Sequence, residues 1–319
     1  MKVFIDDGST NIKMAWINAE GQQQNFVSPN SFKAEWSAPF GVALPDNYVL
    51  DAVKYSFDPL SCSAIRTTDT LYQYSDINVI AIHHALHSSG IKPQLLDIEV
   101  TLPLSEYFDS DSQPNSVNIE RKKNNVMRQV SHQHKPAFEI NSVRVMPESI
   151  PAGVVELAKL DPMESLLIVD LGGTTLDIAQ VRGQMAGITK VFCDPSVGVT
   201  MMTDTVMAIM ATCGIRTSPL VANTFIEKRH DSEWLHQRIQ EETHYQALMD
   251  AIQEKEATLK QRILRALAGF SGYSRVLVVG GGAEIIAPTI VKACEKICPV
   301  ITTQSPQFDL VNGMLTLGV

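Results

Sequence analysis

The stretch 167-LIVDLGGTTLDIAQV-181 restates 3-VFIDDGSTNIKMAWI-17 from the other half of the chain. In each, an apolar run reaches an aspartate, Asp6 or Asp170, turns through glycine and hydroxyl residues, and resumes as an alternating apolar run. That pattern predicts two strands joined by a tight turn. Two copies about half a chain apart predict two related domains, and 319 residues are enough for each to bury its own core.

Composition agrees with a soluble globular chain: 45% apolar and 19% charged residues. No run approaches the roughly 18 apolar residues of a membrane span. The opening MKVFIDDGS puts acids where a signal peptide keeps its apolar region. Together these predict a cytoplasmic protein with no membrane association. The five cysteines (Cys62, Cys193, Cys213, Cys294, Cys298) are scattered and odd in number, which suits free thiols in a reducing compartment. Cys294 and Cys298 share a helix face, but no second pair joins them as metal ligands. A net charge of −9 argues against direct nucleic-acid binding, because phosphate contacts need a basic face.

Strand and helix signals alternate along the chain. VFIDD, KMAWI, DIEVTLPL, SVRVMP, LLIVDL, LDIAQV, VFCD and VLVVGG carry strand patterns. INVIAIHHALHSSG, ESIPAGVVELAKL, VTMMTDTVMAIMATCG and YQALMDAIQEKEATLKQRILRALAGF carry helical spacing, the last with Leu248, Ile252, Leu259, Ile263 and Leu267 on one side. A layered α/β fold follows. Residues 21–60, rich in Gly, Pro, Asn and aromatics, and residues 214–245, polar and irregular in period, interrupt this pattern and predict a smaller inserted lobe in each half.

The two turns carry the chemistry. In 6-DDGSTNIK-13, Gly8 lets backbone amides face a common point, and the side chains of Ser9, Thr10 and Asn11 add donors, a concavity suited to phosphate. Lys13, on the outgoing strand, reaches back toward the same phosphates. Gly172, Gly173, Thr174 and Thr175 repeat the cradle. Asp6 and Asp170 face each other across a cleft, where a hydrated magnesium on a triphosphate would sit. A single such turn is often only a hairpin; the duplication points to phosphate. A third glycine turn, 276-VLVVGGGAEII-286, sits between a strand and a helix, where a ligand approaches backbone closely, and lacks the G-x-G-x-x-G of dinucleotide folds.

DDGSTNIK, DLGGTTLD and VGGGAE resemble the phosphate 1, phosphate 2 and adenosine motifs of the actin/Hsp70/sugar-kinase superfamily. SPNSFKAEW, QYSDINVIAIHHAL, TLPLSEYF, QPNSVNIERKK, MPESIPAG, FSGY and DLVNGM narrow the resemblance to the ParM (StbA) plasmid-segregation actins. The resemblance implies an actin-like α/β fold of two duplicated ribonuclease-H-like domains, each with a smaller inserted subdomain, around a nucleotide cleft. Domain I would span about 1–160, with an insertion at about 21–95 and residues 303–319 returning to it; domain II would span about 161–302, with an insertion at about 200–260. It further implies a Mg2+-dependent ATPase, with GTP as the alternative nucleotide. Such a protein polymerises with itself into dynamic filaments that segregate plasmid DNA through ParR, a DNA-binding adaptor on the plasmid centromere.

By matching positions, the resemblance assigns Asp7, Gly8, Ser9, Thr10, Asn11 and Lys13 to phosphate binding, and Gly172, Gly173, Thr174 and Thr175 to closure on the β- and γ-phosphates. Asp6 and Asp170 would order magnesium-bound waters, and Gly281, Gly282 and Glu284 would flank the nucleoside. In 145-VMPESIPAG-153, Glu148 reads from the residues alone as a cap on the following helix; the resemblance places it beside the attacking water as catalytic base or orienter. Two other functions fit the superfamily. A small-molecule kinase would need a further substrate aspartate, and an Hsp70-like module would need a peptide-binding domain. His83 and His87 lack a third ligand, Pro114 breaks the calcium-loop pattern in 109-DSDSQPNSVNIE-120, and Arg121–Lys123 reads as a solvated helix face.

Overall fold

The computed structural model describes residues 1–42 and 44–318, so Ala43, inside the first expected insertion, and Val319, last of the expected C-terminal return, lie outside the described residues. The N-terminal half contributes β1 (Lys2–Asp7), β2 (Asn11–Ile17), β3 (Gln23–Pro29), β4 (Phe32–Lys33), β5 (Asn47–Leu50), β6 (Val53–Phe57), β7 (Leu95–Leu102), β8 (Ser131–His132) and β9 (Glu139–Pro147). Its helices are α1 (Asp76–Ser88), α2 (Leu104–Tyr107) and α3 (Ser116–Val126). The C-terminal half contributes β10 (Ser165–Leu171), β11 (Leu176–Arg182), β12 (Ile188–Asp194), β13 (Arg275–Val279) and β14 (Val300–Thr302). With them come α4 (Val154–Leu157), α5 (Thr200–Thr212), α6 (Pro219–Glu227), α7 (Ser232–His236), α8 (Glu242–Leu267), α9 (Ala283–Cys294) and α10 (Asp309–Gly318).

The two main sheets have the same plan. One runs β3-β2-β1-β7-β9 and the other β12-β11-β10-β13-β14. In each, the hairpin and its outer neighbour are antiparallel, and the two remaining strands join in parallel. The hairpin strands are apolar almost throughout because both faces of each sheet are covered. In β10, Leu166 to Val169 are all fully buried. One face packs on α5, α6, α8 and α9 and the other on Leu104, Ile150, Leu157 and Leu160. The outer strand β3 alternates between exposed and partly buried positions, as an edge does.

Local signals set the helices. Ser75 caps α1 by accepting from the Asn78 amide, and Ser218 caps α6 from the Val221 amide with Pro219 in the first turn. The buried residues of α8 are the five read from its spacing. Residues 214–245 are irregular in period because they hold two short helices, α6 and α7. The first lobe is narrower than the span 21–95: β3 joins the main sheet, α1 packs against it, and the small sheet β4-β6-β5-β8 recruits residues 131–132 from later in the chain. α10 returns to the first sheet, where Leu310, Val311, Met314 and Leu315 bury against Phe4 and Ala15. Among the described residues no helix is long and apolar enough to cross a membrane.

Candidate functional site

The duplicated hairpins bring their turns together. Cross-strand register sets Asp6 opposite Lys13 in one domain and Asp170 opposite Asp177 in the other. Lys13 Nζ donates to Asp6 Oδ2 at 2.6 Å. The turns touch: Ser9 Oγ and Thr174 Oγ1 lie 2.5 Å apart, and a Cβ on Gly173 would come within 2.4 Å of Thr10 Cγ2. A side chain at position 173 would therefore have to displace Thr10 for the loops to meet as they do. At the third glycine turn Gly280 has φ +90, and a Cβ there would lie 2.3 Å from Asp170 Oδ1. Conformation and space both exclude a side chain beside that carboxylate.

Beneath the paired turns lies a cleft lined by residues of both domains. The residues expected to act together mostly line it: Asp6, Gly8, Ser9, Thr10 and Lys13 from one domain, Asp170 and Gly172 to Thr175 from the other, with Glu148 and Gly281. Four expected residues lie elsewhere. Asp7 is fully buried under the first turn, accepting from Asn78 Nδ2 at 2.6 Å, Thr101 N at 3.0 Å and the Lys122 ammonium. Asn11 faces a second cavity between the smaller lobes, which Arg66 and Asp204 bridge at 2.5 Å. Gly282 backs onto Leu171 and Val199, and Glu284 is exposed in the first turn of α9. An apolar strand followed by glycines cannot tell which residue of the turn faces the cleft.

Two contributors escaped the sequence reading. Asp177 is buried, and its Oδ1 accepts from the Leu104 amide at 3.1 Å, tying the second domain to the chain leaving β7. Superposing the two repeats by register would have set it against Lys13. Gln73 comes from the 3-10 turn Thr70–Tyr74, whose sequence carries no phosphate signature, and lines the cleft.

The site is electrostatically unbalanced. Asp6, Asp170 and Glu148 act on the Lys13 ammonium, and Asp177 acts in turn on Asp170 and Glu148. Burial, with Asp177 and Asp6 nearby, pushes the Asp170 carboxyl up to about 7. Burial and then the surrounding aspartates hold Glu148 well above the ordinary glutamate range, and burial raises Asp177. Burial works against the charge on Lys13, but Asp6, with Asp170 and Glu148, outweighs it and the pKa rises. Such a cleft favours a further cation, and hard carboxylate oxygens beside turns rich in amide and hydroxyl donors have the chemistry that suits Mg2+.

Glu148 follows the last residue of β9 and opens a constrained turn. Ser149 has φ +66 and ψ −52, and the Ile150 amide donates to the Glu148 carbonyl at 2.7 Å, a three-residue γ-turn of a rare and strained kind. No side-chain hydrogen bond caps the helical turn that follows, so the capping reading of Glu148 is not what the structure shows. The strained turn delivers the carboxyl to the cleft instead. The basic triplet also differs from a solvated face. Arg121 lies 4.1 Å over the Tyr74 ring and Lys123 pairs with Glu120 at 2.6 Å, whereas Lys122 is fully buried. His83 is buried in α1 beside the apolar core of the first domain, and His87 packs against His132 and Phe138.

Family models described as plasmid segregation protein ParM match the chain almost end to end, the N-terminal one over residues 1–159 and the C-terminal one over residues 160–317. No curated protein sequence matches it. A non-polymerisable quadruple mutant of pCBH ParM shares the fold with a TM-score of 0.73 at 14% identity, covering 99% of this chain and 98% of that one. The archaeal actin homologue Ta0583, in complex with ADP, gives 0.68 at 16% identity over 98% of this chain and 97% of its own. ParM in a 15-stranded filament from Clostridium botulinum gives 0.66 at 15% identity over 99% of this chain and 98% of its own. At such identities these likenesses speak for the fold, which is actin-like across both domains.

Proposed function

The chain belongs to the ParM family of plasmid segregation proteins, and on that footing we propose that it is a cytoplasmic Mg2+-dependent ATPase that polymerises into dynamic filaments and separates plasmid copies through a ParR-like adaptor on the plasmid centromere. The observation that carries this reading is the meeting of two duplicated phosphate turns, one from each domain, over a single acidic cleft. ATP is the nucleotide proposed, with GTP as the alternative. The family match falls on the segregation proteins, not on small-molecule kinases.

In this reading Asp6 and Asp170 would hold Mg2+ through water, and the ion would supply charge neutralisation to the bound phosphates. Lys13 adds a positive charge from the first hairpin, and the amides and hydroxyls of both turns cradle the phosphates. Glu148 orients or deprotonates the attacking water. Since the turns belong to different domains, a γ-phosphate held by both favours the closed arrangement, and its loss removes that preference. Self-association draws support from the loop between β4 and β5, where Phe40 and Val42 are 94% and 102% exposed and Leu44 is 61% exposed. A second copy would cover such an apolar surface.

Light scattering should rise on adding ATP and Mg2+, remain low with ADP, and fall as ATP is consumed. Equal assembly with ADP, or none with ATP over a wide protein range, overturns the nucleotide-driven filament. The purified chain should not retard plasmid DNA at physiological salt, because its net charge is −9 and non-specific binding requires a basic face. Retardation that weakens steeply with salt would show direct binding and remove the need for an adaptor.

A further inference from the structure

We propose that Lys122 is a positioning residue of the nucleotide site: from α3, outside the cleft, its buried ammonium fixes Asp7 beneath the first phosphate turn and Gln73 in the cleft wall. The inference rests on the proposed nucleotide reading and adds to it a connection from the cleft to a surface helix. Lys122 has no solvent exposure, the one cationic side chain of which this holds among the described residues. The three N–H bonds of its Nζ are shared among four acceptors, Asp7 Oδ2, Gln73 Oε1 at 2.5 Å, Asn78 Oδ1 at 2.9 Å and, farthest, Gln73 O at 3.2 Å. Asn78 Nδ2 closes the ring by donating to Asp7 Oδ2 at 2.6 Å, while Thr101 N and Oγ1 donate to the other Asp7 oxygen at 3.0 and 3.3 Å.

Five elements meet in this network: the end of β1, the 3-10 turn at 70–74, α1, β7 and α3. Two of the groups it holds bear on the cleft. Asp7 immediately precedes Gly8, so anchoring both carboxylate oxygens fixes where the turn begins. Gln73 lines the cleft, and its carboxamide and carbonyl oxygens are both oriented by Lys122. A buried ion pair is an expensive way merely to attach a helix, since apolar side chains of like volume commonly do it as well or better. Apolar packing, however, cannot aim a carboxylate and a carboxamide. The other buried residues of α3, Asn125 and Val126, already pack it against the domain.

The test compares wild type, Lys122→Met and the double variant Asp7→Asn/Lys122→Met for melting temperature, Mg-ATP affinity and single-turnover phosphate release. Lys122→Met should melt well below wild type, because it strands a buried carboxylate. The double variant leaves no unpaired charge and should recover the melting temperature. Its nucleotide affinity or release rate should nevertheless stay down by about 10–100-fold, the range found when groups that orient a site's own ligands are lost. A double variant that melts, binds and hydrolyses like wild type overturns the inference alone. A wild-type chain that binds no ATP overturns the proposed function, and this inference with it. Should neither variant fold, hydrogen exchange on the wild-type chain decides. Mg-ATP should slow exchange both at Thr70–Tyr74 and around Lys122 in α3; protection of the cleft turns with α3 unchanged overturns the proposal.

Discussion

Glu148→Ala is expected to slow single-turnover phosphate release by about 10²–10⁴-fold, the usual loss on removing a general base, while ATP binding and ATP-driven assembly persist. The turns that hold the phosphates come from the two hairpins, and Glu148 arrives separately just after β9, so its loss leaves the cradle in place. Its carboxyl is held well above the ordinary range by burial and by four aspartates, Asp177, Asp6, Asp170 and Asp7. Filaments should form and then fail to disassemble. A residue acting only through the helix dipole would instead lose about 0.3–1 kcal/mol of stability and leave turnover intact. Phosphate release from preassembled filaments, set beside the melting temperature, separates the two: near-normal release with a small drop in melting rejects the catalytic role.

The repeat was legible because hairpin, glycine turn and strand-end aspartate are local features, and duplication makes them stand out from ordinary turns. β1, β2, β10 and β11 lie where the two quoted stretches place them. The buried face of α8 was legible for the same reason, since 26 residues of helix give a period room to show. What was not legible depended on distant partners. Lys122 lies in a basic triplet on a polar helix, and only the arrival of Asp7 from 115 residues away makes burial of its charge tolerable. Asp7 likewise looks like a phosphate residue until Thr101, Asn78 and Lys122 occupy its oxygens. Residues 131–132 complete the small lobe from outside its span, as two-residue strands carry no periodic signal.

Asp170→Asn should shift stability and function in opposite directions. In the fold this carboxyl titrates at about 7 against an ordinary value of 3.8, so the folded state binds the proton more tightly than the unfolded chain does. Its contribution to stability is therefore present below about pH 4 and is lost as pH rises to about 7. At pH 8 without nucleotide, the ionised group opposes folding by on the order of 2–4 kcal/mol. Asparagine keeps the shape and removes the charge, also easing the repulsion on Asp177 and Glu148. The nucleotide-free variant should melt several degrees above wild type at pH 8, with a shallower decline between pH 4 and 7. Mg-ATP should raise the wild-type melting temperature, as any ligand specific to the native state does. In the variant that increment should vanish, because the carboxylate that orders the metal's waters is gone. If Asp170→Asn lowers the nucleotide-free melting temperature and retains the Mg-ATP increment, Asp170 is a structural residue and the metal lies elsewhere. The opposed shifts together identify a charge that costs stability in the empty cleft because it is placed there for a cation.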